Sequence, residues 1–364
     1  MTPLEALLRG RIKCEGPVPV SDFMAIALGD PDHGYYRKSD PLGANGDFIT
    51  APEISQVFGE LIGLWCAIGW QQAGAPAAVK LVELGPGRGT LMADVLRAAR
   101  TVPAFIDACD IHLVETSPAL RACQETALTG HNVTWHDTLE PVPNGPSLII
   151  ANEFFDALPI DQYERTDTGW RIRCVGIDPA DDSLCYVTGD AINFKGPDFP
   201  VAVDAAPVGS LFETCPAGLT LATTLGQRMA DDGIATLIID YGHGRSGAGE
   251  TLQAVRNHKS CGVLTDPGDS DLTAHVDFAA LASRAGRSGA RIVGPIPQGA
   301  FLTALGIEAR TDQLAANADQ DTASLLRSGC RRLIGADSMG MLFKVMALTN
   351  QTVGLPAGFD SLAQ

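Results

Sequence analysis

The sequence predicts an α/β protein built on a doubly wound, Rossmann-like parallel sheet, with an N-terminal helical segment and an inserted antiparallel β region. Three observations carry that reading. From Val79 onward, short apolar runs alternate with helical stretches, and each run ends in polar residues. The first run, "VKLVEL", feeds a turn holding three glycines in five residues, "GPGRG", before a helix begins. Continuous apolar runs with polar carboxyl ends are what a parallel sheet covered on both faces requires.

Taken in order, the first fifty residues are broken by the turn signals "GPVP", "GDPDHGYY" and "DPLGANGD". They predict a short helix or two with long connections. Next, "TAPEISQVFGELIGLWCAIGWQQAG" opens with Thr50 as N-cap, Pro52 in the first turn and Glu53 closing a T-x-x-E capping box. That signature predicts one helix of about twenty residues stopping at Gly74. Strand "VKLVEL", helix 90–100, strand "IHLVE", helix 118–128 and strands "VTWH" and "SLIIAN" follow. Between 160 and 212, alternating polarity and turn clusters predict antiparallel hairpins inserted into the core. Helix 217–232, strand "IATLIIDYG", the helix and strand of "VDFAALASRAGRSGARIVG" and a closing strand "MGMLFKVMAL" complete it. The expected division is 1–75 as helical cover, 76–159 and 217–350 as the two halves of the core, 160–216 as the insertion and 351–364 as a tail.

At 364 residues the chain suits two domains or one large domain with insertions, and its 45% hydrophobic and 19% charged composition is that of a folded soluble protein. The formal net charge of −17 argues against nucleic acid as a partner, because phosphate backbones are bound by clustered Lys and Arg. A basic protein partner fits better, although acidity also serves plain solubility. Nine scattered cysteines, an odd count without a C-x-x-C pair, predict reduced thiols in the cytoplasm rather than a disulfide framework or zinc site. The most apolar stretch, "LIGLWCAIGW", is too short to span a bilayer, and no signal or transit peptide is read at the N-terminus. "DPGDSD" lacks the spacing of a calcium loop, so no metal is expected.

Two readings compete for the glycine turn. A dinucleotide fingerprint, G-x-G-x-x-G, needs its third glycine where this chain has Thr90. The alternative, E-x-G-x-G-x-G, is the pattern of S-adenosylmethionine-dependent methyltransferases. On that reading Gly85, Pro86, Gly87, Gly89 and Thr90 form the cofactor turn, the glycines letting the backbone approach the ligand. Glu83 then meets the ammonium. Glu115, ending the second strand, suits ribose hydroxyls in either cofactor class. Asp137, ending the third, is a candidate for the adenine amino group or an ordinary strand-end acid. "SLIIANEFFDALP" sets Asn152 near a sulfonium and Glu153 near an acceptor, with Phe154, Phe155 and Asp156 over the same edge. The plainer reading is an N-capped helix with phenylalanines packed beneath it.

"GDFITAPEISQVFGE", "ELGPGRGT", "NEFFDALP", "IDYGH", "DLTAHVDF", "QGAFLTALGI" and "MGMLFKVM" occur in this order from about residue 20 to 346. The series resembles the MidA-like methyltransferases. The resemblance implies a class I fold, S-adenosyl-L-methionine as cofactor and, from the mitochondrial member, symmetric dimethylation of an arginine on a core subunit of respiratory complex I. Gly85, Gly87 and Gly89 match the family's cofactor turn, and Asn152-Glu153 with Asp156 match its post-strand motif. One departure is Gly262-Val263, where the family pattern places Asp-Pro.

Arginine is a poor nucleophile, and paired carboxylates both orient a guanidinium and handle its proton. Glu153 and Asp156 are the expected clamp. Tyr35 and Tyr36 are expected over the substrate, with a packing role as the alternative, and Thr50 and Gln56 facing the cofactor. Tyr241 and His243 follow a buried strand, and His243 is a candidate proton acceptor. His275 reads as structural. Protein arginine methylation leads; methylation of a small molecule and a cofactor-binding assembly role without catalysis are the alternatives.

Overall fold

The computed structural model describes residues 1–38, 49–194 and 200–362. The turn cluster of 39–48, including the start of the "GDFITAPE" cover, lies outside the described residues, as do 195–199 and 363–364. The chain forms two compact units, one of Ile49–Phe155, Ala222–Gly242 and Arg284–Gln364, the other of Met1–Phe48, Asp156–Leu221 and His243–Ser283.

The first unit is an α/β layer structure. Its strands are β1 (Val79–Leu84), β2 (Cys109–Val114), β3 (Val133–His136), β4 (Ser147–Asn152), β5 (Ala235–His243), β6 (Arg291–Pro297) and β7 (Phe343–Thr349). They lie in the order β6-β7-β5-β4-β1-β2-β3. The run from β3 to β5 is parallel, and β7 is antiparallel to both β5 and β6. The chain moves outward from β1 to β3 and returns to the other side of β1 with β4. The carboxyl ends of β1 and β4 therefore flank a topological switch point, where open α/β sheets leave a crevice. Register pairs Leu81 with Ile111 on one side and Leu148 on the other, and all three are buried. Such two-sided burial explains the unbroken apolar strands.

The helix expected after Thr50 is broken in two. Thr50 precedes a short turn, Ala51–Ile54, without a side-chain capping bond, and Ser55 begins a second helix, Gln56–Gln72, by accepting the Val57 N–H at 3.3 Å. The capping box fails because Glu53 is otherwise engaged: its carboxylate accepts the Thr90 hydroxyl at 2.5 Å. Three helices, Gln298–Ala304, Ile307–Ala315 and Gln320–Ile334, have no counterpart in the sequence reading. The available signal was Asp319, which caps the last of them by accepting from Thr322 N at 2.8 Å.

In the second unit, Pro3–Glu15 and Val20–Gly29 are the expected early helices. An antiparallel sheet runs in the order Val18–Pro19, Gly169–Ile177, Asp161–Thr166, Leu211–Thr214, with Leu184–Ile192 also pairing Gly169–Ile177. A smaller sheet joins Lys259–Cys261, Gln253–Arg256 and Asp271–Thr273. All nine cysteines are free. Among the described residues no helix is long and apolar enough to cross a membrane.

Helix Gln56–Gln72 approaches Thr90–Ala99 through glycines. A Cβ on Gly63 would stand 2.7 Å from Val95 O and 2.9 Å from Val95 Cα, whereas one on Gly69 would make an ordinary 3.5 Å contact with Leu148. Gly63→Ala forces two backbones apart and is expected to cost about 1–3 kcal/mol in denaturant unfolding. Gly69→Ala is expected to be neutral or to stabilise by up to ~1 kcal/mol through helix propensity. Equal stability of the two variants would mean that the helices separate freely at Gly63.

Candidate active site at the carboxyl edge of the sheet

The glycine turn follows β1. Gly85, Gly87 and Gly89 adopt φ values of +62°, +54° and +84°, a region that excludes most side chains. The turn is anchored by Gly85 N donating to Val114 O at 3.0 Å and Gly89 N to Pro86 O at 2.8 Å. The space in front of Gly85 is filled by protein, since a Cβ there would lie 2.7 Å from Phe154 Cδ2. Glu83, only 2% exposed, sits one residue inside the strand end. Apart from a backbone bond from Met92 it is desolvated, and burial pushes its pKa up to about 8. Its Oε2 is buried and has no hydrogen-bond partner.

Glu115, beyond β2, accepts the Ser117 N–H at 2.7 Å and is held above the ordinary carboxylate pKa, chiefly by burial. Gln124, fully buried, reaches Glu115 Oε2 at 3.4 Å and Gly87 O at 2.7 Å. Asp137 is exposed and pairs with Arg121 at 2.8 Å.

Beyond β4 the chain turns sharply. Asn152 is buried, donates from Nδ2 to Glu153 Oε1 at 3.1 Å and leaves its own buried Oδ1 without a partner. Glu153 takes φ +50°, and its Oε1 also accepts the Ala51 N–H at 2.8 Å. Desolvation pushes its pKa up to about 7 against these two donors. The turn is held by a residue that the sequence reading passed over. Asp240, fully buried near the end of β5, accepts from Phe154 N at 3.1 Å, Phe155 N at 2.9 Å and Tyr241 N at 2.9 Å. Its signal was a single acid closing the apolar run "LIID". Phe154 and Phe155 meet edge to face, 5.7 Å apart.

This unit thus brings together Glu83, the glycine turn, Asn152, Glu153 and Phe154. It holds Thr50 at the cap of the turn whose Ala51 N–H reaches Glu153, and Thr90 against Glu53. Gln56 is exposed and donates to Glu60 Oε1 at 3.2 Å. The Tyr241 ring lies in the apolar core, 5.6 Å from Phe343.

In the other unit Asp156 is buried and its carbonyl accepts Ala274 N at 3.0 Å. Tyr36 donates its hydroxyl to Asp271 Oδ1 at 3.0 Å; burial, with Asp271 and Asp156 nearby, holds that phenol well above its usual pKa. Tyr35 is a core residue, edge to face with Tyr36 at 5.2 Å. His243 Nδ1 is 2.8 Å from Arg245 O and 4.0 Å from Asp277. Asp271 was not among the expected site residues. Among the described residues no group of three or more His, Cys, Asp or Glu is arranged to hold a metal.

Comparison with known proteins bears on this arrangement. Residues 61–296 match the family described as "Putative S-adenosyl-L-methionine-dependent methyltransferase". The chain is 40% identical to Protein arginine methyltransferase NDUFAF7, mitochondrial, of Xenopus laevis, over 93% of this chain and 82% of that one. The human protein of the same name is 36% identical, over 96% and 83%. A Burkholderia thailandensis structure solved with S-adenosyl-homocysteine bound is 28% identical, covers 98% of this chain and 93% of its own, and superposes with a TM-score of 0.82. A glycine turn at β1, acids at the ends of β1 and β4 and a family match across most of the chain agree, and the chain belongs to the S-adenosyl-L-methionine-dependent methyltransferases.

Proposed function

We propose that this protein transfers a methyl group from S-adenosyl-L-methionine to an arginine of a protein partner. A core subunit of respiratory complex I is the target that the family resemblance implies. The relatives' names support the acceptor. The observation that carries the site is the pair of buried, unpartnered oxygens, Glu83 Oε2 and Asn152 Oδ1, on the adjacent strands β1 and β4. Buried polar atoms are nearly always satisfied, so two orphans at a topological switch point fit a polar, cationic ligand.

In this reading Glu83 receives the ammonium, Glu115 the ribose hydroxyls and Asp137 the adenine. The backbone from Pro86 to Thr90 lines the ligand, with Gly85 packed against Phe154, and Asn152 faces the sulfonium. The cofactor supplies a methyl carbon activated by positive sulfur. Glu153 orients the guanidinium, with Phe154 and Phe155 beside it on the same unit; Asp156, Tyr35, Tyr36 and His243 are the acceptor-side residues that the reading assigns to the other unit. Glu153 or Asp156 would take the proton that the guanidinium nitrogen gives up as it is methylated. Glu153 suits that task because its pKa of about 7 matches working pH. The core is read as doubly wound, with 160–216 inserted in its sequence. Nine free thiols support a reducing compartment such as the cytoplasm.

The decisive experiment is incubation with radiolabelled S-adenosyl-L-methionine and host lysate, followed by mass spectrometry. Label on protein arginine is expected; label only in small molecules favours the small-molecule alternative, and cofactor binding without any transfer favours an assembly role.

The pH dependence follows from Glu153, whose raised pKa keeps it protonated below about pH 7 and unable to accept a proton there. Transfer should rise with pH through that value and level off above it. Glu153→Gln should lower kcat by roughly 10²–10⁴ and abolish this rise while leaving S-adenosyl-homocysteine binding within about threefold by calorimetry. Equal loss of binding and transfer would remove Glu153 from the acceptor side.

A further inference from the structure

We propose that Gln124 is a positioning residue for the cofactor: its amide, oriented by Trp135, ties the glycine turn to Glu115 and so sets where the ribose-binding acid lies. The inference rests on the reading that Glu115 meets the ribose. Gln124 is 0% exposed on helix Pro118–Ala127, so its amide must find every partner inside the protein. Oε1 accepts from Trp135 Nε1 at 2.8 Å, while Nε2 donates to Gly87 O at 2.7 Å and to Glu115 Oε2 at 3.4 Å.

These partners fix the amide's orientation. An indole N–H only donates, and a carbonyl and a carboxylate only accept. The flipped amide would turn its NH₂ toward the indole N–H and its oxygen toward two oxygens, losing all three bonds. Trp135 on β3 thus dictates that a donor faces the turn and the acid.

The backbone of Gln124 is fixed as well. Its Cα would lie 3.2 Å from a Cβ on Gly89, so helix and turn are in close contact and the side chain has little freedom. Gly87, at φ +54°, has its carbonyl held by Gln124 in a conformation that a free chain samples sparingly. Glu115 Oε1 is already held by Ser117 N. The long contact from Gln124 aims Oε2 while leaving it able to accept a hydroxyl. Gln124 also donates to the charged form of Glu115, opposing the upward pKa shift caused by burial.

The test is calorimetric binding of S-adenosyl-homocysteine and its 2′-deoxy analogue to the wild type, Gln124→Met, Gln124→Glu and Trp135→Phe. Methionine keeps length and volume but no hydrogen bonds. Glutamate keeps the acceptor for Trp135 and sets a second anion against Glu115. The wild type should prefer the 2′-hydroxyl ligand. Gln124→Met should bind it about tenfold more weakly and lose most of that preference, and Gln124→Glu should bind more weakly still. Trp135→Phe leaves the backbone contacts of Gln124 in place, frees the amide to turn, and should cut the preference about threefold. A discriminating wild type whose preference persists in Gln124→Met overturns the inference alone. If the Gln124 variants fail to fold, an undiminished preference in Trp135→Phe does the same. A wild type that binds without discriminating overturns the ribose reading together with it.

Discussion

A fully buried carboxylate holds the chain where it leaves β4. Asp240 accepts three backbone N–H groups, from Phe154, Phe155 and Tyr241, so the end of β5 dictates the path of the neighbouring strand's exit. Charge-assisted bonds of this kind are stronger than neutral ones, and removing the acceptor leaves each buried donor costing about 1–3 kcal/mol. The strained φ of Glu153, the seat of its carboxylate on Ala51 and the contact of Phe154 with Gly85 all follow from that path. The carboxyl edge of the sheet is thus shaped by main chain tied to one acid, with side chains added to it.

Desolvation dominates the electrostatics of this edge. Glu83 and Glu153 are pushed to about 8 and about 7, well above free carboxylates, because too few donors compensate their burial. A cationic group placed beside either acid would supply a counter-charge and draw it toward ionisation.

Much of this was legible in sequence because it is periodic or compositional. The apolar runs "VKLVEL" and "SLIIAN" named their strands, and the alternating glycines named their turn. Other features fell below that kind of signal. Ser55 splits the expected helix, and Thr90, far along the chain, holds the Glu53 carboxylate that a capping box would have used. Asp240 and Gln124 matter through bonds to main chain remote in sequence, and neither belongs to a pattern. The glycine at 85 was expected to make room for a ligand; its absent Cβ instead leaves space for Phe154. Local rules read local structure, and these contacts are long-range.

The packing of Phe154 on Gly85 also constrains how such a sequence can change. Any side chain at 85 meets both an aromatic ring and a left-handed backbone, so growth there must be met by a shift at 154 and in the turn. "GPGRG" and "NEFF", more than sixty residues apart, are packed as one unit, and a larger residue in the turn is felt in the strand exit.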